Sequence, residues 1–220
     1  RSESTIRNIS EINQIIEMVN GEISDFKVLD FGMGWGGWCK AAQLMGFEAY
    51  GMEITNSQIQ YNKVHGLKVI SWDELHGFAF DFINIEQVFE HLDKPFQILK
   101  DLLGGLSPRG ILKISVPNAI NIKSNLKKDF KAEWFHAKGK SYSLNPIEPL
   151  QHLNGFTHKS LITMASQLGL KEASASIANY NKNSVEVLTH NNFIKFYLNP
   201  SYRFFKKIRS QNTNLLFQKV

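Results

Sequence analysis

The 220-residue sequence has a single cysteine, Cys39, and lacks any apolar run of about 18 residues. Without a second cysteine it forms no internal disulfide and no multi-cysteine metal site. The missing apolar run excludes an ordinary membrane-spanning helix. Charged residues make up only 20% of the chain against 43% apolar residues, a composition typical of a folded globular protein. We therefore expect one sizeable core in a reducing compartment such as the cytoplasm.

Basic residues are in modest excess, with a formal net charge of +5 and an isoelectric point of about 9.2. Part of this excess lies in residues 193–209, which combine basic and aromatic side chains. The segment can pack on the rest of the protein or at a dimer contact, or it can form a peripheral contact with an anionic membrane. We favour the packed arrangement and expect a monomer or a homodimer.

Hydrophobic periodicity alternates between strand and helix over the first half of the chain, after an amphipathic helix in residues 1–20. The predicted strands are residues 27–31, 48–52, 67–70, 80–85 and 110–116, and the predicted helices are residues 37–45, 56–64 and 93–103. A helix over residues 157–168 and strands over 171–177 and 214–220 follow. Residues 118–151 and 185–210 interrupt this order as irregular inserts. The alternation predicts one α/β domain over residues 1–220, with a doubly wound, mostly parallel sheet.

A glycine-rich turn follows the first predicted strand, with Gly32, Gly34 and Gly36 before a helix. Glycine permits positive φ and close approach of a ligand to the backbone, so this turn is expected to bind a nucleotide-like ligand. Gly32, Gly34 and Gly37 also fit the G-x-G-x-x-G dinucleotide fingerprint, and Glu53 lies about 20 residues further on, where a carboxylate can accept ribose hydroxyls. The glycines alone leave two cofactor classes open.

Asp30 distinguishes these two classes. A carboxylate directly before the turn repels the pyrophosphate of a dinucleotide, whereas it attracts a cationic ligand. S-adenosylmethionine carries a sulfonium and an ammonium and no phosphate, so Asp30 favours it over a nicotinamide dinucleotide. The acid can also stabilise the turn by accepting nearby N–H groups, and that role is compatible with ligand binding.

With these features the sequence resembles the class I S-adenosylmethionine-dependent methyltransferases. The segments that carry the resemblance are residues 28–36, 51–54, 80–92, 106–112, 116–118 and 152–157. Arg109 departs from the pattern, since that family usually has a glycine there. The resemblance covers roughly residues 25–175 and implies a Rossmann-like sheet of seven strands with an antiparallel final strand. It also implies methyl transfer from S-adenosylmethionine, which leaves S-adenosylhomocysteine.

The resemblance implies a cofactor-binding set at the carboxyl ends of the strands: Asp30, Gly32, Gly34, Gly36, Glu53, Ile54, Trp72, Asp73, Glu86 and Gln87. The first four are expected around the methionine part and the last two beside the path of the methyl group. Glu53 is expected at the ribose, with Ile54 against the adenine. Trp72 either stacks on the adenine or packs in the core. Asp73 either accepts the adenine amino group or caps a short helix.

Methyl transfer to a hydroxyl benefits from a general base, and histidine is the usual side chain near neutral pH. We predict His152 for this role, then His91, with His136 as a third candidate. Each of these histidines can instead order its loop through hydrogen bonds. No cluster of metal ligands is apparent in the sequence, so no metal is predicted.

The predicted activity is methylation of an oxygen or nitrogen in a small molecule, a sugar or glycan, or a lipid-linked acceptor. Residues 118–151 are expected to form a lid or acceptor wall. A nucleic-acid acceptor is not expected, because residues 86–89 lack the aromatic–proline motif of base-amino methyltransferases. The alternatives are a non-catalytic module that binds S-adenosylmethionine and a nicotinamide-dependent oxidoreductase, which Asp30 disfavours.

Overall fold

The computed structural model describes residues 2–16, 22–129, 131–138, 140–173 and 212–219. The predicted insert of residues 185–210, with the aromatic and basic residues 193–209, lies outside the described residues. The predicted N-terminal helix is present as α1, Ser2–Ile16. The last residues of that prediction also lie outside the described part.

The remaining elements follow the predicted order of strands and helices, with two short helices, α4 and α6, that were not among the predicted helices. They are β1 Lys27–Phe31, α2 Gly37–Leu44, β2 Glu48–Met52, α3 Asn56–Val64, β3 Lys68–Val69, α4 Trp72–Leu75, β4 Phe80–Glu86, α5 Pro95–Leu102, β5 Leu106–Pro117, α6 Ile122–Leu126, α7 His158–Ser166, β6 Leu170–Glu172 and β7 Asn212–Lys219. None of the helices in these ranges is long and apolar enough to cross a membrane.

The seven strands form one sheet in the order β3-β2-β1-β4-β5-β7-β6. The pairs from β3 to β5 are parallel, and β7 runs antiparallel to both β5 and β6. The predicted sheet with an antiparallel final strand is therefore confirmed. The order reverses between β1 and β4, and in open α/β sheets the crevice at such a switch point binds ligands.

Helices cover both faces of the sheet because its central strands are apolar on both sides. In β1, Val28 packs in a cluster with Ile12 of α1 and Trp38 of α2. Its neighbour Leu29 points the other way, into a cluster with Leu99 of α5. Successive residues of a strand face opposite sides, so two adjacent apolar residues indicate a strand buried on both faces. The doubly wound arrangement follows from this pattern.

The predicted insert of residues 118–151 is mostly irregular, as expected. It contains α6 and short 3-10 turns at Ala119–Asn121, Ala132–Phe135 and Asn145–Ile147. The rings of Trp134 and Tyr142 lie 5.2 Å apart, and the Asn125 side chain donates to two backbone carbonyls of the same segment. The two rings therefore contact each other within the insert, but Tyr142 stays 39% exposed.

Candidate active site

The glycine turn lies between β1 and α2, and its three glycines are required for different reasons. Gly32, Gly34 and Gly36 have φ values of +77°, +53° and +71°. A Cβ on Gly32 would lie 2.5 Å from Val88 Cγ2, and one on Gly36 would lie 2.4 Å from Leu67 Cδ1. A Cβ on Gly34 would meet nothing within 4 Å. Of the three, Gly34 alone borders open space, where a ligand can approach the backbone.

Glu53 follows β2 and binds the glycine turn directly. Its Oε2 accepts the N–H of Gly34 at 2.9 Å, and its Oε1 accepts the N–H groups of Ile54 and Thr55 at 2.9 and 3.0 Å. Partial burial acts to raise the pKa of Glu53, but these backbone donors outweigh it and the pKa is lowered. Glu53 is thus an ionised group with a lone pair left on Oε2 for a hydroxyl donor.

Two large apolar side chains stand exposed near this acid. Ile54 is 89% exposed and Trp35, within the glycine turn, is 61% exposed. A ligand with hydroxyl groups next to a flat ring fits this surface. Its hydroxyl groups can donate to the ionised acid, and its ring can pack on the exposed apolar side chains.

Trp72 and Asp73 lie at the start of α4. Trp72 is partly buried against the main core, with its ring 5.5 Å from that of Phe31 in an edge-on contact. Asp73 is exposed and lies inside the helix. The helix is capped by Ser71, whose N–H donates to Glu74 Oε2 at 2.8 Å. The alternative prediction that Asp73 caps this helix is wrong, because Ser71 holds that position.

Asp30 lies beneath the glycine turn in a buried polar network that sequence reasoning missed. Its Oδ1 accepts Asn84 Nδ2 at 2.8 Å, and Asn84 Oδ1 in turn accepts Lys113 Nζ at 3.1 Å. Asp30 is 5% exposed, and this burial raises its pKa to about 7 although Asn84 acts in the opposite direction. A cation bound above the turn would favour the ionised form of Asp30.

Lys113 is the centre of this network. It is 1% exposed, and its Nζ contacts Glu11 Oε1 at 2.5 Å and Glu86 Oε2 at 2.8 Å. Glu11 belongs to α1, and its Oε1 also accepts Trp38 Nε1 at 3.1 Å. Burial is the largest single effect and acts to raise the pKa of Glu86, but the charge and hydrogen bond of Lys113 and smaller favourable contacts together outweigh it, so that pKa is lowered. The network therefore fixes α1 against the edge of the sheet that carries the glycine turn.

Gln87 redirects the chain at the end of β4. Its φ is +55°, which costs about 1 kcal/mol or more for a residue other than glycine. Its N–H donates to the carbonyl of Ser115 at 2.8 Å, and its side-chain Nε2 contacts the same oxygen at 3.3 Å. This turn places Val88 against Gly32, so the loop after β4 lies on the glycine turn.

The same loop brings His91 next to His152. Their ring centroids are 4.9 Å apart. His91 Nδ1 lies 2.6 Å from the carbonyl of Gln151, and His152 Nδ1 lies 2.6 Å from that of Asn145. Because a carbonyl only accepts, each Nδ1 carries a hydrogen, and in the neutral ring the lone pair is on Nε2. Both histidines thus order their loops and also present a basic nitrogen.

Glu90 completes this cluster and was not among the predicted residues. It is 2% exposed, and burial raises its pKa to about 7. Desolvation lowers the pKa of His152, so this imidazole is neutral near pH 7. His136, the third candidate, instead pairs its Nδ1 with Glu148 Oε1 at 3.0 Å. Glu148 also accepts Asn145 Nδ2, so His136 helps to hold the loop that orders His152.

These groups fit S-adenosylmethionine. The chemistry of the set matches its parts: a buried acid for cationic charge, an open glycine for close backbone contact, an ionised acid for ribose hydroxyls and exposed apolar surface for the adenine. Glu86 and Gln87 lie at the end of β4, next to Ser115 of β5. The individual roles of the predicted cofactor-binding residues stay predictions.

Comparison with protein families gives an independent result. A family model described as "Methyltransferase domain" matches residues 7–174. This range includes the glycine turn, Glu53 and all three residues of the Glu90–His91–His152 cluster. Among curated proteins, no sequence matches this chain significantly.

Solved structures share the fold at low identity. A SAM-dependent methyltransferase from Archaeoglobus fulgidus has a TM-score of 0.58 and 17% identity, covering 96% of this chain and 92% of that one. A putative sarcosine dimethylglycine methyltransferase from Galdieria sulphuraria has a TM-score of 0.52 and 18% identity, with 99% and 86% coverage. The plantazolicin methyltransferase BpumL, solved in complex with SAH, has a TM-score of 0.56 and 16% identity, with 100% and 86% coverage.

Proposed function

Because the chain belongs to the S-adenosylmethionine-dependent methyltransferase family, we propose that it methylates an oxygen or nitrogen of a small-molecule, sugar, glycan or lipid-linked acceptor. One observation carries this proposal. The loop after β4 packs Val88 on Gly32 and also holds His91 next to His152. A cofactor cleft and a pair of basic nitrogens are thereby joined by one short segment.

When bound, S-adenosylmethionine supplies a methyl carbon made electrophilic by the sulfonium, whose C–S bonding pair returns to sulfur as the acceptor lone pair forms the new bond. Gly34 offers its backbone to the methionine part, and the ionised Asp30 balances its positive charge. Glu53 accepts a ribose hydroxyl, with Ile54 against the adenine. Glu86 and Gln87 border the path of the methyl group.

In this proposal His152 takes the proton of the acceptor. Its Nδ1–H is held by the carbonyl of Asn145, which leaves Nε2 oriented to accept a proton, and its lowered pKa keeps it neutral at pH 7. His91 is the second acceptor of that proton, since its Nε2 is also left with a lone pair. Residues 118–151 supply the wall of the acceptor site, because the loop that orders His152 belongs to this insert.

The test is a single-turnover assay with S-adenosylmethionine labelled on its methyl group. A panel of hydroxyl and amine acceptors and cell extracts is first screened for transfer of the label. On the best acceptor, His152→Ala and His91→Ala should each lower the rate, by about 100-fold for the main base. His65→Ala is the matched control, because that histidine stacks on Tyr61 away from the cluster.

Near-normal rates in both His152→Ala and His91→Ala would remove the proposed base. Lack of label transfer together with lack of S-adenosylmethionine binding would remove the proposed function itself. We further propose a cytoplasmic location and a monomer or homodimer. The membrane contact through residues 193–209 stays a prediction, which co-sedimentation with anionic vesicles tests.

A further inference from the structure

Glu90, His91 and His152 come from two segments that are far apart in sequence. The backbone carbonyl of Glu90 accepts the N–H groups of Leu153 and Asn154 at 2.8 and 3.0 Å. Asn154 Nδ2 also donates to the carbonyl of Leu92 at 2.5 Å. These bonds fix the segment directly after the insert against the loop after β4. The side-chain ligand atoms of the three residues all lie within 4.8 Å of one another.

The two imidazoles are oriented in the way metal-binding histidines are. A histidine that binds a metal through one nitrogen commonly donates its other N–H to a backbone carbonyl or carboxylate, which fixes the tautomer and the ring. His91 and His152 each place Nδ1 2.6 Å from a backbone carbonyl. Both Nε2 lone pairs are therefore left for a ligand, and neither ring can turn without losing a hydrogen bond.

Glu90 supplies a separate observation that points to a ligand. It is 2% exposed, yet its Oε2 has no hydrogen-bond partner among the residues that the structure describes. Its Oε1 lies 3.9 Å from His91 Nε2, too far for a hydrogen bond. A buried carboxylate oxygen without a hydrogen-bond partner is unfavourable, because it has lost water without replacing it. A cation held between this carboxylate and the two nitrogens would satisfy it.

We propose that Glu90, His91 and His152 bind a divalent transition-metal ion of the zinc class through one carboxylate oxygen and two imidazole Nε2 atoms. Imidazole suits Zn²⁺ and Fe²⁺ better than Mg²⁺ or Ca²⁺, which prefer oxygen ligands. Two histidines and one carboxylate are a known ligand set for zinc and leave coordination positions open. The side chain of His91 is 42% exposed, so the open coordination positions would be accessible from solvent on the side of His91.

The effect of this metal ion on catalysis rests on the proposed function, the transfer of a methyl group to an acceptor bound beside the cluster. An acceptor hydroxyl on an open position of the ion would become more acidic, since a bound zinc ion lowers the pKa of water from about 15.7 to about 7. With the ion bound, His152 Nε2 would hold the metal and the proton of the hydroxyl would be released to water, whereas in the metal-free protein this Nε2 takes the proton directly. The metal thus favours a hydroxyl acceptor over an amine.

The experiment uses the full, untagged chain, stripped with a chelator and titrated with Co²⁺. Binding is followed by the visible absorption of the cobalt ion and then by competition with Zn²⁺ in a calorimeter. We expect one ion per chain. Glu90→Gln, His91→Gln and His152→Gln should each weaken binding about 100-fold or more. His65→Gln is the matched control and should bind like the wild type.

Binding of S-adenosylhomocysteine to each variant reports whether it is folded. His91→Gln is the decisive variant if the others unfold, because this side chain is the most exposed of the three. Wild-type affinity for Co²⁺ in the folded variants would overturn the inference, and so would a wild-type chain that binds no ion. Metal binding without any S-adenosylhomocysteine binding would overturn the proposed function and leave the metal site standing.

Discussion

A carboxyl group as deeply buried as that of Asp30 resists ionisation, and its pKa of about 7 lies near the pH at which the protein would act. Below that pH a bound cation has to displace the proton, at about 1.4 kcal/mol or tenfold in affinity per pH unit. Above it, Asp30 is already ionised. Affinity for S-adenosylmethionine should therefore rise between pH 6 and 7 and level off by about pH 8.

Asp30→Asn tests this directly by calorimetry across the same pH range. The variant should lose the pH dependence and bind S-adenosylmethionine roughly 10- to 100-fold more weakly at pH 8, the value of a hydrogen bond or contact to a charged group. Asp81→Asn is the control, because Asp81 accepts the N–H of Lys27 at the opposite end of the strands. An unchanged pH profile in Asp30→Asn would refute the role of this acid.

Gly34 offers a second test at the level of one residue. Since a Cβ there meets nothing within 4 Å, Gly34→Ala should cost the fold only about 1–2 kcal/mol for its positive φ. The new methyl group would lie where the cofactor approaches, so affinity should fall by about tenfold or more. Gly66→Ala is a close match, with φ of +76° and nothing within 4 Å, and should leave affinity unchanged.

Gly36→Ala should mainly lower the stability of the fold, whereas Gly34→Ala should mainly lower the affinity for the cofactor. Its Cβ would lie 2.4 Å from both Asn62 Oδ1 and Leu67 Cδ1. Overpacking of this kind costs about 1–3 kcal/mol beyond the strain of positive φ. Denaturant unfolding should therefore separate Gly36→Ala from Gly34→Ala. Equal stabilities of the two variants would contradict the distinct orientations of the two glycines.

At the scale of elements, Glu11 links α1 to the sheet through its ion pair with Lys113, in addition to the apolar packing of the buried isoleucines of this helix. Glu11→Ala removes one partner of the buried Lys113, which keeps Glu86. We expect a loss of about 1–3 kcal/mol in the free energy of unfolding and faster hydrogen exchange in Ser2–Ile16. Asn13→Ala, at an exposed position of the same helix, should change neither. Unaltered exchange in Glu11→Ala would show that apolar packing alone holds α1.

The strands and the longer helices could be predicted because they follow from local periodicity, whereas α4 and α6 are too short to show a period and were not among the predicted helices. The seven strands and the antiparallel β7 match the prediction, whereas the 3-10 turns of residues 118–151 carry no periodic signal and were not found. Strand β5 begins at Leu106, earlier than predicted, because the turn residues Pro108 and Gly110 lie within the strand. Turn-forming residues are a local signal that sheet pairing overrode here.

In the candidate site, too, residues in local motifs could be predicted, whereas residues that meet across distant segments could not. The glycines and Glu53 belong to short motifs, so sequence was enough to find them. Lys113 lies in an apolar strand and gives no sign that it meets Glu11, 102 residues away. Glu90 was missed for a similar reason, since His152 is brought close to it by hydrogen bonds between residues 153–154 and the loop after β4. Contacts between distant segments leave no spacing pattern to read.

At the scale of the whole molecule, ligand binding should stabilise the folded chain. At 100 times its dissociation constant, a ligand that binds only the folded state adds about 2.7 kcal/mol, which raises the melting midpoint by roughly 5–10 °C for a protein of this size. S-adenosylmethionine and S-adenosylhomocysteine should both produce this shift in a thermal-denaturation experiment. NAD should not, and a shift with NAD alone would favour the oxidoreductase alternative.

The position of β7 in the sheet has a consequence for how the chain is made. Among the described strands, β6 pairs with β7 alone and lies at the edge of the sheet, yet 39 residues, 173–211, are synthesised between the two strands. A ribosome adds about 5–20 residues per second, so β6 waits roughly 2–8 s for its partner. During that interval β5 is the growing edge, with unpaired N–H and C=O groups that attract other strands. A chaperone that binds nascent chains would be most useful at this stage, because it would cover the unpaired edge of β5 until β7 is synthesised.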